Sequence, residues 1–252
     1  MDLNLSGRRA IVTGGSRGIG AAIVDQLLAE GCSVATCARN QAGIKAVQAR
    51  HGDHAHSLHA GICDVADSEA YARWLDDAVK ALGGVDIFIP NVSAVAVSGA
   101  DTWQQSFNVD MMATVRGCEQ LLPALAQSDA ASIVIIASIS GLESSGAASA
   151  YGVMKAGLVS YASQLGDAVG SHGVRVNAVS PGPIYVDDGF WGQVSRDQPD
   201  MFAAVAGRHA AGRLGTPDEV ANAVVFLASS AASWITRSNL VVDGGFSRRI
   251  QY

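Results

Sequence analysis

A chain of 252 residues, 49% hydrophobic but only 6% aromatic, can bury a large core built on Ala, Val, Ile and Leu, with no need of a metal or disulfide staple. A formal net charge of −6 excludes nucleic acid and other polyanions as expected partners. No apolar run is long enough to span a membrane and no charged-then-apolar leader opens the chain, so a soluble cytoplasmic protein is expected.

Strand-like and helix-like stretches alternate along the chain. Residues 9–13 (RAIVT) predict a strand, Gly18 to Glu30 a helix, Ser33 to Cys37 a second strand and 40–50 a helix. His56 to Cys63 predicts a third strand, and Ser68 to Leu82 a helix with apolar residues at 3–4 spacing. Asp86 to Ile89 is short and apolar, as a strand covered on both faces should be. A helical region over Trp103 to Gln127 carries Pro123, which is expected to bend or interrupt it. The run 132–137 (SIVIIA) is the clearest strand, followed by helix 151–169, strand 174–179, a long loop, helix 217–228 and strand 239–242. Repeated βα units predict an α/β fold: a Rossmann-like, doubly wound parallel sheet with helices on both faces, in a single domain spanning 1–252. The four cysteines (Cys32, Cys37, Cys63, Cys118) show no CxxC spacing and are expected to be buried free thiols.

Thr13-Gly14-Gly15-Ser16-Arg17-Gly18-Ile19-Gly20 lies between the first strand and the first helix. Glycines permit a tight turn there, and free N–H groups at the helix start face a pyrophosphate. Placement after the first strand is what separates a dinucleotide site from an ordinary tight turn. NAD enzymes usually present an acid near the end of the second strand for the ribose hydroxyls. Here the stretch is Ala35-Thr36-Cys37-Ala38-Arg39-Asn40. Arg39 and Arg17 are placed to bracket a ribose 2′-phosphate, unless Arg39 is only a solvated helix-start residue. NADP(H) is favoured on this ground, with NAD(H) still possible.

Tyr151 and Lys155 stand at i and i+4 on one helical face, and Ser138 follows the clearest strand. Carbonyl reduction needs a proton donor for the oxygen that gains charge as hydride arrives. A cation about 4–6 Å from a phenol favours the phenolate by ~3–4 kcal/mol at an effective dielectric near 20, which makes proton exchange workable near neutral pH. Ser138 can hold the substrate oxygen beside the phenol.

In this company the chain resembles the short-chain dehydrogenase/reductase family over nearly its whole length. The matching pieces are Thr13-Gly14-x3-Gly18-x-Gly20, Cys63-Asp64-Val65, Asn108, Ser138, Tyr151-x3-Lys155, 180–184 (SPGPI) and 242–245 (VDGG). The resemblance implies Tyr151 as acid/base, Ser138 as anchor of the substrate oxygen, and Lys155 as its electrostatic modifier and nicotinamide-ribose ligand. It makes Asn108 the holder of a proton-relay water near Lys155. Cofactor contacts would come from Gly14, Ser16, Arg17, Gly18, Ile19, Gly20 and Arg39, then Asp64 and Val65 near the adenine and Asn91 near its ribose. Tyr151, Lys155, Pro181, Gly182 and Ile184 would meet the nicotinamide half. Ser93, Ser140, Val186 and Trp191 would line the substrate pocket, under a lid at about 185–212. A homotetramer is also implied, paired partly through helices 103–127 and 151–169.

Three departures from the family pattern stand out. Pro90-Asn91-Val92-Ser93 replaces the usual Asn-Asn-Ala-Gly, which reshapes the floor of the site. Val186 stands where the family often has a cofactor-binding Thr, and Thr236-Arg237 replaces Thr-Gly. His51, His54, His56 and His59 crowd one stretch, yet 56 and 59 point to opposite faces of a strand, so no metal is expected. Phe190, Trp191, Met201 and Phe202 in the lid suit a bulky or aromatic substrate, or simply pack the lid on the core.

The leading expectation is therefore an oxidoreductase moving a hydride between NADP(H) and a ketone or secondary alcohol, the substrate being small and apolar or aromatic. The close alternative is a 3-oxoacyl-[acyl-carrier-protein] reductase. It is ranked second because 119–129 holds no cation and the −6 charge would repel an acidic carrier. A non-catalytic NADP(H)-sensing protein on the same fold is the alternative from another class, and retention of both Tyr151 and Lys155 argues against it.

Overall fold

Along each strand, neighbouring residues divide between two apolar layers. Ile11, Ala35, Phe88, Ile133 and Ile135 belong to one layer, while Ala10, Val12, Val34, Ile87, Ile89 and Val134 belong to the other. This is the period-2 alternation of a strand with helices on both faces, and it explains why the strands are apolar throughout. A computed structural model describes residues 2–52, 57–94, 102–144 and 148–248.

The elements are β1 (Arg9–Thr13), α1 (Gly18–Ala29), β2 (Ser33–Ala38), α2 (Gln41–Arg50), β3 (Leu58–Ile62), α3 (Ser68–Leu82), β4 (Ile87–Ile89), α4 (Thr102–Ser106), α5 (Ala113–Leu125), β5 (Ser132–Ile136), α6 (Ala150–Val169), β6 (Arg175–Pro181), α7 (Phe190–Asp197), α8 (Pro199–Ala206), α9 (Pro217–Ala228) and β7 (Asn239–Val242). The seven strands form one parallel sheet in the order β3-β2-β1-β4-β5-β6-β7, the expected doubly wound fold in a single domain. Helices α3, α5 and α6 cover one face through Leu75, Leu121 and Leu158. Helices α1 and α9 cover the other through Ile23, Leu27 and Val224. The chain reverses direction across the sheet between β1 and β4, which leaves a crevice at the carboxyl ends of those strands.

Some boundaries differ from the sequence expectation. β3 begins at Leu58 rather than at His56, which lies outside the described residues. The helical region 103–127 is split: a wide π turn over Phe107–Met112 separates α4 from α5. Pro123 lies inside α5 without interrupting it, and the helix ends two residues later at Leu125. All four cysteines are buried free thiols, as expected. Among the described residues no helix is long and apolar enough to cross a membrane.

Candidate active site and cofactor cleft

The crevice between β1 and β4 opens into a cleft of about 750 Å³. Its walls include Gly14, Ser16, Arg17, Arg39, Asp64, Val65 and Asn91 of the expected cofactor residues, together with Ser93 and Asn108. The turn after β1 needs glycine for two reasons. Gly14 and Gly18 have φ of +74° and +56°, a region that L side chains avoid. At Gly20 a Cβ would lie 2.2 Å from the Gly14 carbonyl oxygen and 2.4 Å from Asn91 Nδ2. The cap residue Arg17 offers no side chain to the first-turn amides of α1, and no acidic residue stands in that turn. The helix start is thereby left to an anion. The residues present fit a dinucleotide, with the pyrophosphate over the turn.

Side chains from three other elements hold this turn in place. Thr36 on β2 accepts from Gly15 N at 3.0 Å and donates to the Val12 carbonyl at 2.7 Å. Asn91, just beyond β4, donates from Nδ2 to the carbonyls of Thr13 (3.0 Å) and Gly14 (3.3 Å), and its amide donates to Thr13 Oγ1 (3.0 Å). Arg50 at the end of α2 donates to the carbonyls of Gly15 and Ser16, both at 3.1 Å. Nothing in the sequence marked Thr36 or Arg50 for this task. Arg50 lies more than thirty residues beyond the turn, and only the right-handed β2–α2 packing brings it back.

Arg39 is exposed at the mouth of the cleft and forms no hydrogen bond or ion pair among the described residues. Arg17 is engaged: it donates to the Asp188 carbonyl at 3.3 Å and lies 3.7 Å from the Asp188 carboxylate. Asp64 accepts from the Ala66 amide at 3.0 Å. Cys37 and Cys63 both line the cleft wall. Val186 stands over the glycine turn, its Cγ2 being 3.6 Å from where a Gly18 Cβ would project. Pro181 closes β6, Gly182 donates to the Val242 carbonyl at 2.9 Å, and Ile184 bridges to Gly215. Ile19 packs partly buried beside the layer under α1.

The expected catalytic side chains come from β5 and α6. Ser138 is buried in extended backbone just past β5, and its Oγ accepts from the Ser140 amide at 3.1 Å. Ser140 itself is exposed. One turn apart at the start of α6, Lys155 Nζ lies 5.6 Å from the centre of the half-buried Tyr151 ring. Lys155 is buried, and its ammonium donates to the Ile136 carbonyl at 2.9 Å.

Asn108 does not take the place beside Lys155 that the sequence reading gave it. Its side chain accepts from Gln104 at 3.1 Å on the cleft wall. The π turn carries Asp110 inward instead, and its carboxylate lies 3.3 Å from Lys155 Nζ. Ser93 Oγ donates to Asp110 at 2.7 Å and the Ala94 amide does so at 3.3 Å. The residue that departs from the family glycine at 93 therefore binds the carboxylate at 110.

In the lid, Phe190 and Trp191 meet edge to face at 5.1 Å, and Tyr185 meets Phe202 likewise at 5.9 Å. Phe190 is exposed and Trp191 half-buried. Elsewhere, His51 binds Asp25 at 2.7 Å and His59 is exposed on β3. His54 and His56 lie outside the described residues.

With this geometry established, comparison with known proteins gives a consistent result. A family model described as Enoyl-(Acyl carrier protein) reductase matches residues 14–247. Isoepoxydon dehydrogenase patN of Aspergillus clavatus is 35% identical over 99% of this chain and 98% of its own. The 3-oxoacyl-[acyl-carrier-protein] reductase FabG of Escherichia coli strain K12 is 32% identical over 96% and 98%. D-threitol dehydrogenase of Mycolicibacterium smegmatis is 30% identical over 98% and 95%. Among solved structures, a short-chain dehydrogenase/reductase described as glucose/ribitol dehydrogenase from Brucella melitensis superposes with a TM-score of 0.85, at 25% identity, covering 99% of this chain and all of that one. The chain belongs to the short-chain dehydrogenase/reductase family, whose oxidoreductases act on CH–OH groups and use NAD(P)(H).

Proposed function

We propose that this enzyme interconverts a secondary alcohol and a ketone with NADP(H), its substrate being small and apolar or aromatic. The carrying observation is the arrangement at the start of α6. A buried ammonium sits 5.6 Å from the centre of the Tyr151 ring, with the Ser138 hydroxyl on the neighbouring strand end. When bound, the cofactor supplies or accepts the hydride. Tyr151 gives its phenolic proton to the substrate oxygen in reduction and takes it back in oxidation. Lys155, one turn along α6, reaches the nicotinamide ribose. Ser138 donates to the substrate oxygen. Among the described residues its hydroxyl donates to nothing else, while the Ser140 amide fixes its position.

Arg39 supports the phosphorylated cofactor, because it stands unpaired at the cleft mouth and no acid ends β2. Phe190 and Trp191 support the apolar or aromatic substrate, closing over it within a lid at 185–212. The names of the relatives cover isoepoxydon, a 3-oxoacyl carrier conjugate and D-threitol, so likeness alone does not select among substrates. The 3-oxoacyl-carrier-protein reductase stays the second reading, favoured by the likeness to FabG. A homotetramer is supported by exposed Trp103, Phe107 and Val153 on α4, the π turn and α6. The free thiols suit a reducing compartment such as the cytoplasm.

The test is initial rates with NADPH and NADH across ketones, diketones and 3-oxoacyl thioesters, with Tyr151→Phe as the control. Turnover of aromatic or cyclic ketones with NADPH, lost in Tyr151→Phe, is the expected result. A preference for NADH would sink the role given to Arg39. A rate gain with carrier-bound over free 3-oxoacyl substrate would move the reading to the carrier reductase.

A further inference from the structure

The pair Lys155–Asp110 is buried at both ends, with side-chain exposures of 2% and 0%. A buried ammonium without a partner is strongly disfavoured, and the Ile136 carbonyl that Lys155 also binds brings no charge to balance it. The carboxylate does. It is not a loose neighbour, because Ser93 and the Ala94 amide hold it in place from the segment after β4. Among the described residues Lys155 has no other ion-pair partner, and neither does Asp110. The two charges therefore sum to zero at the inner end of the site.

That sum matters because the two forms of a nicotinamide ring differ by one charge. The oxidised ring is a cation and the reduced ring is neutral. An uncompensated ammonium next to the ring would disfavour the oxidised form and leave the reduced form untouched. We propose that Asp110 is a charge-balancing, positioning residue: by neutralising Lys155 it sets the ratio of affinities for oxidised and reduced cofactor. The inference rests on the placement of Lys155 at the nicotinamide end given above. It extends that reading to a residue that never touches substrate. It also gives the departure at Ser93 a purpose, since a glycine there could not donate a side-chain hydroxyl to the carboxylate.

The experiment is direct titration of the protein with NADP⁺ and NADPH, following quenching of intrinsic fluorescence, for the wild type and three variants. Asp110→Asn keeps the shape and removes the charge. Asp110→Ser removes the charge with a smaller side chain, in case the amide disturbs folding. Asp110→Glu keeps the charge. Both neutral variants are expected to bind NADP⁺ about tenfold more weakly relative to NADPH than the wild type does, while Asp110→Glu keeps the wild-type ratio within about twofold. A brace without an electrostatic role would weaken both forms alike, so an unchanged ratio in the neutral variants overturns the proposal. A shifted ratio in Asp110→Glu as large as in Asp110→Asn also overturns it, by assigning the effect to shape. A wild type that binds neither cofactor overturns the cofactor reading and this inference together.

Discussion

β1 and β4 are clasped at both ends by side chains from the β4 segment, and the two clasps are opposites. At the amino ends, Asp86 accepts from the Arg9 amide and from its guanidinium at 2.8–2.9 Å, and from Ser128 at 2.6 Å. Burial alone would raise its carboxyl, but the Arg9 and Ser128 hydrogen bonds outweigh burial and bring it down to about 2. At the carboxyl ends the clasp is Asn91, a neutral amide whose Nδ2 donates to the carbonyls of Thr13 and Gly14. A charge fully consumed within the protein suits the end that only has to hold. A neutral donor suits the end where an anion has to dock, since a carboxylate there would repel a pyrophosphate. In this sheet the amino ends are built for stability and the carboxyl ends for binding.

The largest expected effect breaks the binding end. Gly20→Ala forces a Cβ against the Gly14 carbonyl and Asn91 Nδ2, at a cost of about 2–3 kcal/mol. Cofactor affinity measured by titration should fall on the order of a hundredfold. Asp86→Asn breaks the other end and should lower unfolding free energy in urea by about 2 kcal/mol at pH 7, with KM for the cofactor unchanged. The sign with pH follows from the lowered carboxyl. The wild type holds this contribution above about pH 4 and loses it as pH falls towards 2, whereas the variant shows no such loss from residue 86. Asn91→Asp sharpens the contrast: it should weaken cofactor binding about tenfold by placing a carboxylate beside the turn. The smallest effect is expected away from both clasps. Arg237 holds φ at +62°, where glycine would be unstrained, but it also pairs with Asp167 at 2.7 Å on the surface. Arg237→Gly trades backbone strain for that pair and for chain entropy, so thermal unfolding should register a change under about 0.5 kcal/mol.

The same contrast separates what the sequence made legible from what it did not. Strand alternation and the glycine turn are local signals, and they placed the sheet, the cleft and the Tyr151–Lys155 face. Arg237 was visible too, as a departure from Thr-Gly, and its left-handed backbone is the physical content of that departure. The inner partner of Lys155 was not legible. Asn108 and Asp110 both lie on a helical stretch, and only the wide turn over 107–112 decides which faces α6. Apolar spacing does not encode such a turn. The clamps from Thr36 and Arg50 were equally hidden, because each depends on how distant elements pack rather than on its neighbours in the chain. The substrate side stayed least legible: aromatic residues in a lid announce bulk, and bulk does not name a molecule.

The strand order also has a consequence during synthesis. Until β4 leaves the ribosome, β1 presents an open backbone edge along Ala10, Ile11 and Val12, the residues that later pair with Ile87, Phe88 and Ile89. From Ala10 to Val12 both faces of that edge are apolar, and Arg9 at the start of the strand is the one charge there to protect it. A nascent or truncated chain ending before β4 is thus a template for pairing with its own copies, and the arrival of β4 is the event that both caps that edge and completes the crevice.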